Sequence, residues 1–375
     1  MAGIYLHIPF CKQACNYCDF HFSTSMKMKV DFVQAIIQEI ELRKDVFANE
    51  FISSVYFGGG TPSLLSKQDL DKIFEKLYMS FKIDADAEIT LESNPDDLTF
   101  EKIQQLKDSP VNRLSIGVQS FRDEDLKFMN RAHTAIEALN SIKMAQDEGF
   151  QNITIDLIYG TPGMSNEDWK YNLRKSFALN LPHISSYALT VEEKTPLYYQ
   201  ILKKNIGPVD EQQSADQFKI LMDEMLRNGY EQYEISNFCK GNSYSKHNSS
   251  YWKKDHYLGL GPSAHSYFGN LRMWNISNNV KYVKSLSTSK LPLVQESLST
   301  QEKYNEYVMT SLRTKWGCSL IEIEKDYSKS YLNYFKAQIK SYEMNGCIVE
   351  NKGVYTLSEK GKLIADLITS DLFFI

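Results

Sequence analysis

Ile4-Tyr5-Leu6-His7-Ile8-Pro9-Phe10-Cys11-Lys12-Gln13-Ala14-Cys15-Asn16-Tyr17-Cys18 stands at the start of the chain. Its first five residues read as a β-strand that delivers a loop with three cysteines. Three thiolates this close can hold three irons of a four-iron cluster and leave the fourth without a protein ligand. A small molecule with an amine and a carboxylate can chelate that vacancy. The spacing therefore points to radical chemistry, with S-adenosylmethionine on the open iron. Zinc is the rival, and it wants four ligands. A fourth would have to be His7, His21, or the distant Cys239, Cys318 or Cys347, which lie in no motif and read as buried thiols. Six cysteines in 375 residues, with no signal peptide ahead of them, argue for a reducing cytoplasm rather than a disulfide scaffold.

Strand-like and helix-like runs alternate outward from this stretch. Ser54-Val55-Tyr56-Phe57 is a second strand and ends in Gly58-Gly59-Gly60-Thr61-Pro62. Glu88–Leu91 is a third, running into Glu92. Arg113–Val118 is a fourth, ending at Gln119. Ile153–Ile158 is a fifth, with Asp156 inside it, and Ile184–Leu189 is a sixth. Asp31 is expected to cap a helix, and helical stretches are expected over 67–80, 123–149 and 166–179. Repeated βα units predict an α/β fold with a parallel sheet curving into a partial (β/α)6 barrel. Such barrels carry their site at the carboxyl ends of the strands. The glycine run, Glu92, Gln119 and Asp156 all fall there, on the side where the cysteines begin. A glycine run also makes an ordinary turn, and a strand-end acid is often only solvated. Their coincidence on one face is what gives them weight.

Composition bounds the rest. Lys and Arg number 42 against 47 Asp and Glu, a net charge of −5, which argues against a general nucleic-acid binder. No apolar run approaches the roughly 20 residues of a membrane span. A boundary is expected near residue 290, dividing the chain into 1–290 and a mainly helical 291–375. In the second part, helices near 300–315, 319–326 and 330–345 lead into a hairpin over 347–357, an order that resembles a winged helix.

The cysteine motif and the glycine run together resemble the radical S-adenosylmethionine superfamily. The whole chain resembles its branch of oxygen-independent coproporphyrinogen III oxidases and HemW-type haem chaperones. By that resemblance Cys11, Cys15 and Cys18 ligate a [4Fe–4S] cluster. Tyr5, Tyr17, Gly59, Gly60, Thr61, Glu92, Gln119, Arg131 and Asp156, with Ala188, contact S-adenosylmethionine. The oxidase has a further cysteine two places after its third, where this chain has Phe20, and an N-terminal arm before its first strand. Both departures favour the chaperone. His247-Asn248-Ser249-Ser250-Tyr251-Trp252 matches the chaperones' His-Asn-x-x-Tyr-Trp motif. An imidazole can bind haem iron axially, and Tyr251 and Trp252 can lie against the porphyrin. His265 is a candidate second ligand. The implied partners are haem, a one-electron reductant and a haem-acceptor protein, respiratory or membrane-associated, with no nucleic acid. A decarboxylating oxidase is the alternative. A radical RNA-modifying enzyme is a third reading, disfavoured by the acidic balance.

Overall fold

The computed structural model describes residues 2–48 and 50–375. Six parallel strands form the frame: β1 (Ala2–Ile8), β2 (Ile52–Gly59), β3 (Ile83–Ser93), β4 (Arg113–Gln119), β5 (Ile153–Tyr159) and β6 (His183–Ala188). They pair in sequence order. Between them run α1 (Lys29–Arg43), α2 (Lys67–Ser80), α3 (Phe100–Lys107), α4 (Asp123–Phe128), α5 (Ala135–Asp147) and α6 (Asn166–Ala178). The strands are apolar on one side and polar on the other, because successive side chains point to opposite faces. Val55, Phe57, Ile89, Leu91, Leu114, Ile116, Ile153, Ile155 and Ile184 join the buried core. The alternate positions carry Ser54, Glu88, Thr90, Arg113, Ser115, Thr154, His183 and Ser185, which are nearly as well buried. The sheet thus encloses a polar lumen within an apolar shell.

Two sequence expectations are corrected at the helices. Asp31 does not cap α1. The helix begins at Lys29, whose ammonium lies 2.8 Å from Asp69 of α2, and Asp31 sits in the first turn. The expected helical run over 123–149 is broken. Asn130 adopts a φ of 55° there, and the break turns Arg131 toward the cysteine loop.

The sheet also extends at both edges, in segments where no strand was expected. Beyond β6, α7 (Pro196–Leu202) and α8 (Glu211–Arg227) lead to the short strands β7 (Glu231–Glu234) and β8 (Asn237–Cys239). After α9 (Lys246–Trp252), β9 (His256–Leu260) pairs parallel with the outer edge of β1. The antiparallel β10 (His265–Phe268), β11 (Leu271–Asn275) and β12 (Leu293–Ser297) follow, with α10 (Asn279–Leu286) inserted. The result is a twelve-stranded sheet whose end strands, β12 and β7, do not pair with one another among the described residues. The barrel is therefore partial. β12 lies past residue 290 and yet pairs with β11.

A second core begins at Tyr304 and holds Cys318 and Cys347. It is built from α11 (Thr300–Leu312), α12 (Leu320–Tyr327), α13 (Lys329–Met344), α14 (Glu359–Lys362) and α15 (Ala365–Asp371) around a three-stranded sheet. The hairpin expected over 347–357 is Ile348–Asn351 paired with Val354–Leu357. No helix of the described chain is long and apolar enough to cross a membrane.

Candidate cofactor site

A cavity of about 450 Å³ opens at the carboxyl ends of the strands. Cys11, Cys15, Tyr17, Cys18, Gly59, Gly60, Thr61, Glu92, Gln119, Arg131, Asp156 and Ala188 all line it. Tyr5 does not line it; its hydroxyl bonds His7 Nδ1 at 3.2 Å, and its ring stacks on Tyr56.

The cysteine loop is held by the strand ends it faces. Thr61 Oγ1 donates to Cys11 Sγ at 3.5 Å. Arg131 donates to Cys15 Sγ at 3.3 Å, to Asn94 Oδ1 at 2.6 Å and to the Gly117 carbonyl at 2.7 Å. Burial pushes the Cys18 thiol up to about 11, so a positively charged group is needed to hold it as thiolate. Among the described residues no three His, Cys, Asp or Glu converge on the position of one ion. A mononuclear zinc site requires that convergence; a cluster, in which each thiolate takes its own iron, does not.

The glycine run is a cradle. A Cβ on Gly60 would stand 2.7 Å from the Phe10 carbonyl and 2.8 Å from that of Ile8. Gly59 has φ +104°, and a Cβ there would meet the His7 ring at 2.5 Å. A side chain at Gly59 therefore strains the backbone and collides with the protein before it can obstruct a ligand. Gln119 keeps a φ of 66° without being glycine, a strained conformation of the kind found at ligand clamps. Ser93 Oγ and Arg131 Nε, both at the cavity, are buried with no protein partner. Unpaired buried polar atoms are costly, and a polar ligand in the cavity would satisfy them.

Glu92 and Asp156 are the cavity's acids. Glu92 accepts from the Tyr56 hydroxyl at 2.8 Å and from the Gly59 N–H at 3.2 Å. Burial, with Asp156 nearby, raises it from 4.5 to about 7. Burial likewise raises Asp156 to about 6. A cationic ligand would restore both to the ionised form. In the ligand-free chain the protonated form of Glu92 is the one the fold favours. Its stabilising contribution is full below pH 4.5 and is lost as pH rises through 7. We expect native stability relative to Glu92→Gln to fall by about 2.5 kcal/mol between pH 5 and 8. Denaturant titrations across that range measure it, and a flat difference would refute the assignment.

Sequence reasoning did not single out the floor of the cavity. Arg113, 2% exposed, spans the lumen between Glu88, 3.8 Å away, and Thr154. Glu88 accepts the N–H groups of Lys246 and His247, both at 3.1 Å, and so fixes the start of α9 across the lumen. Asn248 then lines the cavity itself. The signal for Arg113 was its polar position in an otherwise apolar strand. Nothing local marked its link to α9.

The motif at His247 has a different geometry from the one expected. His247 is 1% exposed. Its Nδ1 shares a 2.9 Å hydrogen bond with Ser54, and its Nε2 one of 2.9 Å with Tyr251. Its ring lies 5.0 Å from that of Tyr56, and burial lowers its pKa to about 3. In this conformation it offers no ring nitrogen to a ligand. Tyr251 and Trp252 are half-buried, and the Arg313 guanidinium lies 5.9 Å from the Trp252 ring.

Residues 5–175 match the profile of the Radical SAM superfamily. A Bacillus subtilis protein named heme chaperone HemW is 33% identical over 369 residues, covering 98% of this chain and 97% of that protein. The chain belongs to the HemW family. A Lactococcus lactis protein of the same name is 34% identical, covering 95% of this chain and 93% of its own. Among solved structures, the Escherichia coli coproporphyrinogen III oxidase HemN, titled a radical SAM enzyme, superposes with a TM-score of 0.86. It covers 99% of this chain and 90% of its own at 23% identity. That likeness establishes the fold that HemW-family chains share with the oxidase: a mostly parallel α/β barrel with a C-terminal extension.

Proposed function

We propose that this chain is a haem chaperone that binds haem and passes it to an acceptor protein. The observation that carries the reading is the end-to-end similarity to proteins named heme chaperone HemW, over 98% of the chain. The oxidase, at 23% identity, shares the fold alone.

In this reading Cys11, Cys15 and Cys18 hold a [4Fe–4S] cluster, and the remaining cavity residues hold S-adenosylmethionine. Such a cluster, when bound, supplies one-electron reducing power to the sulfonium. The chain's own contribution is positional. The cradle at Gly59 and Gly60 admits the ligand's polar end, Glu92 and Asp156 balance its positive charge, and Arg131 braces the cysteine loop. The setting is cytoplasmic, with a one-electron reductant and a haem acceptor as partners. The C-terminal part from α11 onward serves as an interaction or lid unit rather than a nucleic-acid reader.

The purified, anaerobically reconstituted chain is expected to bind ferric haem and to leave coproporphyrinogen III unchanged when given S-adenosylmethionine and a reductant. Soret absorbance and product chromatography read the two activities. Sustained decarboxylation without haem binding would replace this reading with the oxidase.

A further inference from the structure

A protein that captures haem and hands it on needs an axial ligand with an accessible nitrogen. The chain has seven histidines. His7 bonds Tyr5 and the His21 carbonyl. His183 bonds Thr154 and Tyr233, and His247 is enclosed as described. His133 is buried against the Val118 carbonyl. His21 and His256 are half-buried and each ties one ring nitrogen to a partner, Asn279 and Glu50. Among the described residues, only His265 is exposed with neither ring nitrogen hydrogen-bonded.

His265 opens β10 directly across from Trp274 on β11. The two rings are stacked, 5.9 Å apart and inclined by 24°. Trp274 in turn faces Val294 on β12, which is 51% exposed. Residues paired across antiparallel strands share a face, so His265, Trp274 and Val294 form one row across three strands, the first and last exposed and Trp274 half-buried. The next row on that face is Tyr257, Tyr267, Arg272 and Glu296. Glu306 of α11 holds Arg272 at 2.8 Å. This second row is continuous with the buried motif. Tyr267 stacks on Tyr257, Tyr257 meets Tyr251 edge-on at 4.7 Å, and Tyr251 meets His247.

We propose that haem docks on this face, with His265 as its axial ligand and Trp274 stacked on that imidazole, fixing its plane and turning its own edge toward the porphyrin. This rests on the haem-chaperone reading. The row is flat and apolar beside one imidazole, which suits a planar macrocycle whose iron needs a nitrogen donor. Partial burial and the nearby Arg272 keep His265 below the usual imidazole range, so its lone pair is available at neutral pH. Arg272 is neutralised by Glu306 and flanked by Glu296, which leaves the propionates to solvent. An open sheet face also lets an acceptor approach. His247, Tyr251 and Tyr257 are positioning residues in this scheme: they hold the sheet extension against the barrel from within.

The test is a titration of ferric haem into the full-length reconstituted chain, read by Soret absorbance and resonance Raman. His265→Gly is expected to lose at least about tenfold in affinity, and added imidazole is expected to restore the native spectrum. Trp274→Leu weakens binding without changing the ligand field. His256→Ala leaves both unchanged. His247→Ala lowers thermal stability while its folded fraction keeps the native Soret band. Iron and sulfide content stays native in every variant. A native spectrum in His265→Gly overturns the proposal and leaves the chaperone reading intact. Failure of the unmodified chain to bind haem overturns the reading itself.

Discussion

Cys15→Ala is expected to abolish the cluster. After anaerobic reconstitution, iron and sulfide should fall to background, and the reduced protein should give no electron paramagnetic resonance signal. The reason is that each thiolate takes a separate iron, so two remaining cysteines leave two irons without protein ligands. No other cysteine can substitute, because Cys239, Cys318 and Cys347 are buried in distant cores. Cys15 is only half-buried, so the variant should unfold within about 1 kcal/mol of native ligand-free protein. That separates loss of the cluster from loss of the fold. Cys11→Ala and Cys18→Ala should behave alike. A full cluster in the triple variant would remove the foundation of the site, and stoichiometric zinc in the native protein would replace it.

The second large effect is expected at Glu39, a residue no motif marks. Glu39 is fully buried on α1 and accepts from the Gly261 N–H at 2.8 Å, the Asn275 amide at 2.7 Å and the Tyr282 hydroxyl at 2.6 Å. One turn along α1, the buried Arg43 bonds the Gly259 carbonyl at 3.0 Å and Ser266 at 3.2 Å, and lies 3.4 Å from Glu39. Together they fasten the sheet extension of β9 to β11, and α10, onto the barrel. Glu39→Ala strands the Arg43 charge and three donors, which costs about 3–5 kcal/mol. Glu39→Gln keeps much of the hydrogen bonding and should cost less. Denaturant unfolding of the ligand-free chain decides. A loss below about 1 kcal/mol would mean that packing alone holds the extension. Haem affinity should weaken with Glu39→Ala, because the proposed docking face lies on that extension.

The two variants probe features of very different visibility. The cysteine loop needed only spacing to be recognised. Glu39 looked like one more acid in an amphipathic helix, and its four partners lie between 4 and 243 positions away in sequence. The six barrel strands were legible because each is an apolar run bounded by turn residues. The strands β7 to β12 were not, because each is only three to five residues long, too short to show a clear alternation. The helix break at Asn130 was hidden inside a good helical pattern, since φ at one residue leaves no periodic trace.

The same division holds at the site. Sequence by itself determined the parallel α/β frame, the face that carries the cysteines, and the residues that end its strands. These follow from alternation along a strand and from handed connections, both local rules. That His247, Tyr251 and Trp252 form a unit came from the resemblance to the haem chaperones' motif, not from a local rule. Only the tertiary structure decided which way that unit faces. Glu88 on β3 binds the first N–H groups of α9 across the lumen and turns His247 inward, where Ser54 and Tyr251 occupy both of its nitrogens. His265 was left at the surface instead, because strand pairing placed it opposite Trp274 on an uncovered face. Burial and hydrogen-bond competition are properties of the assembled chain, and they decide which of seven histidines stands exposed with both ring nitrogens free.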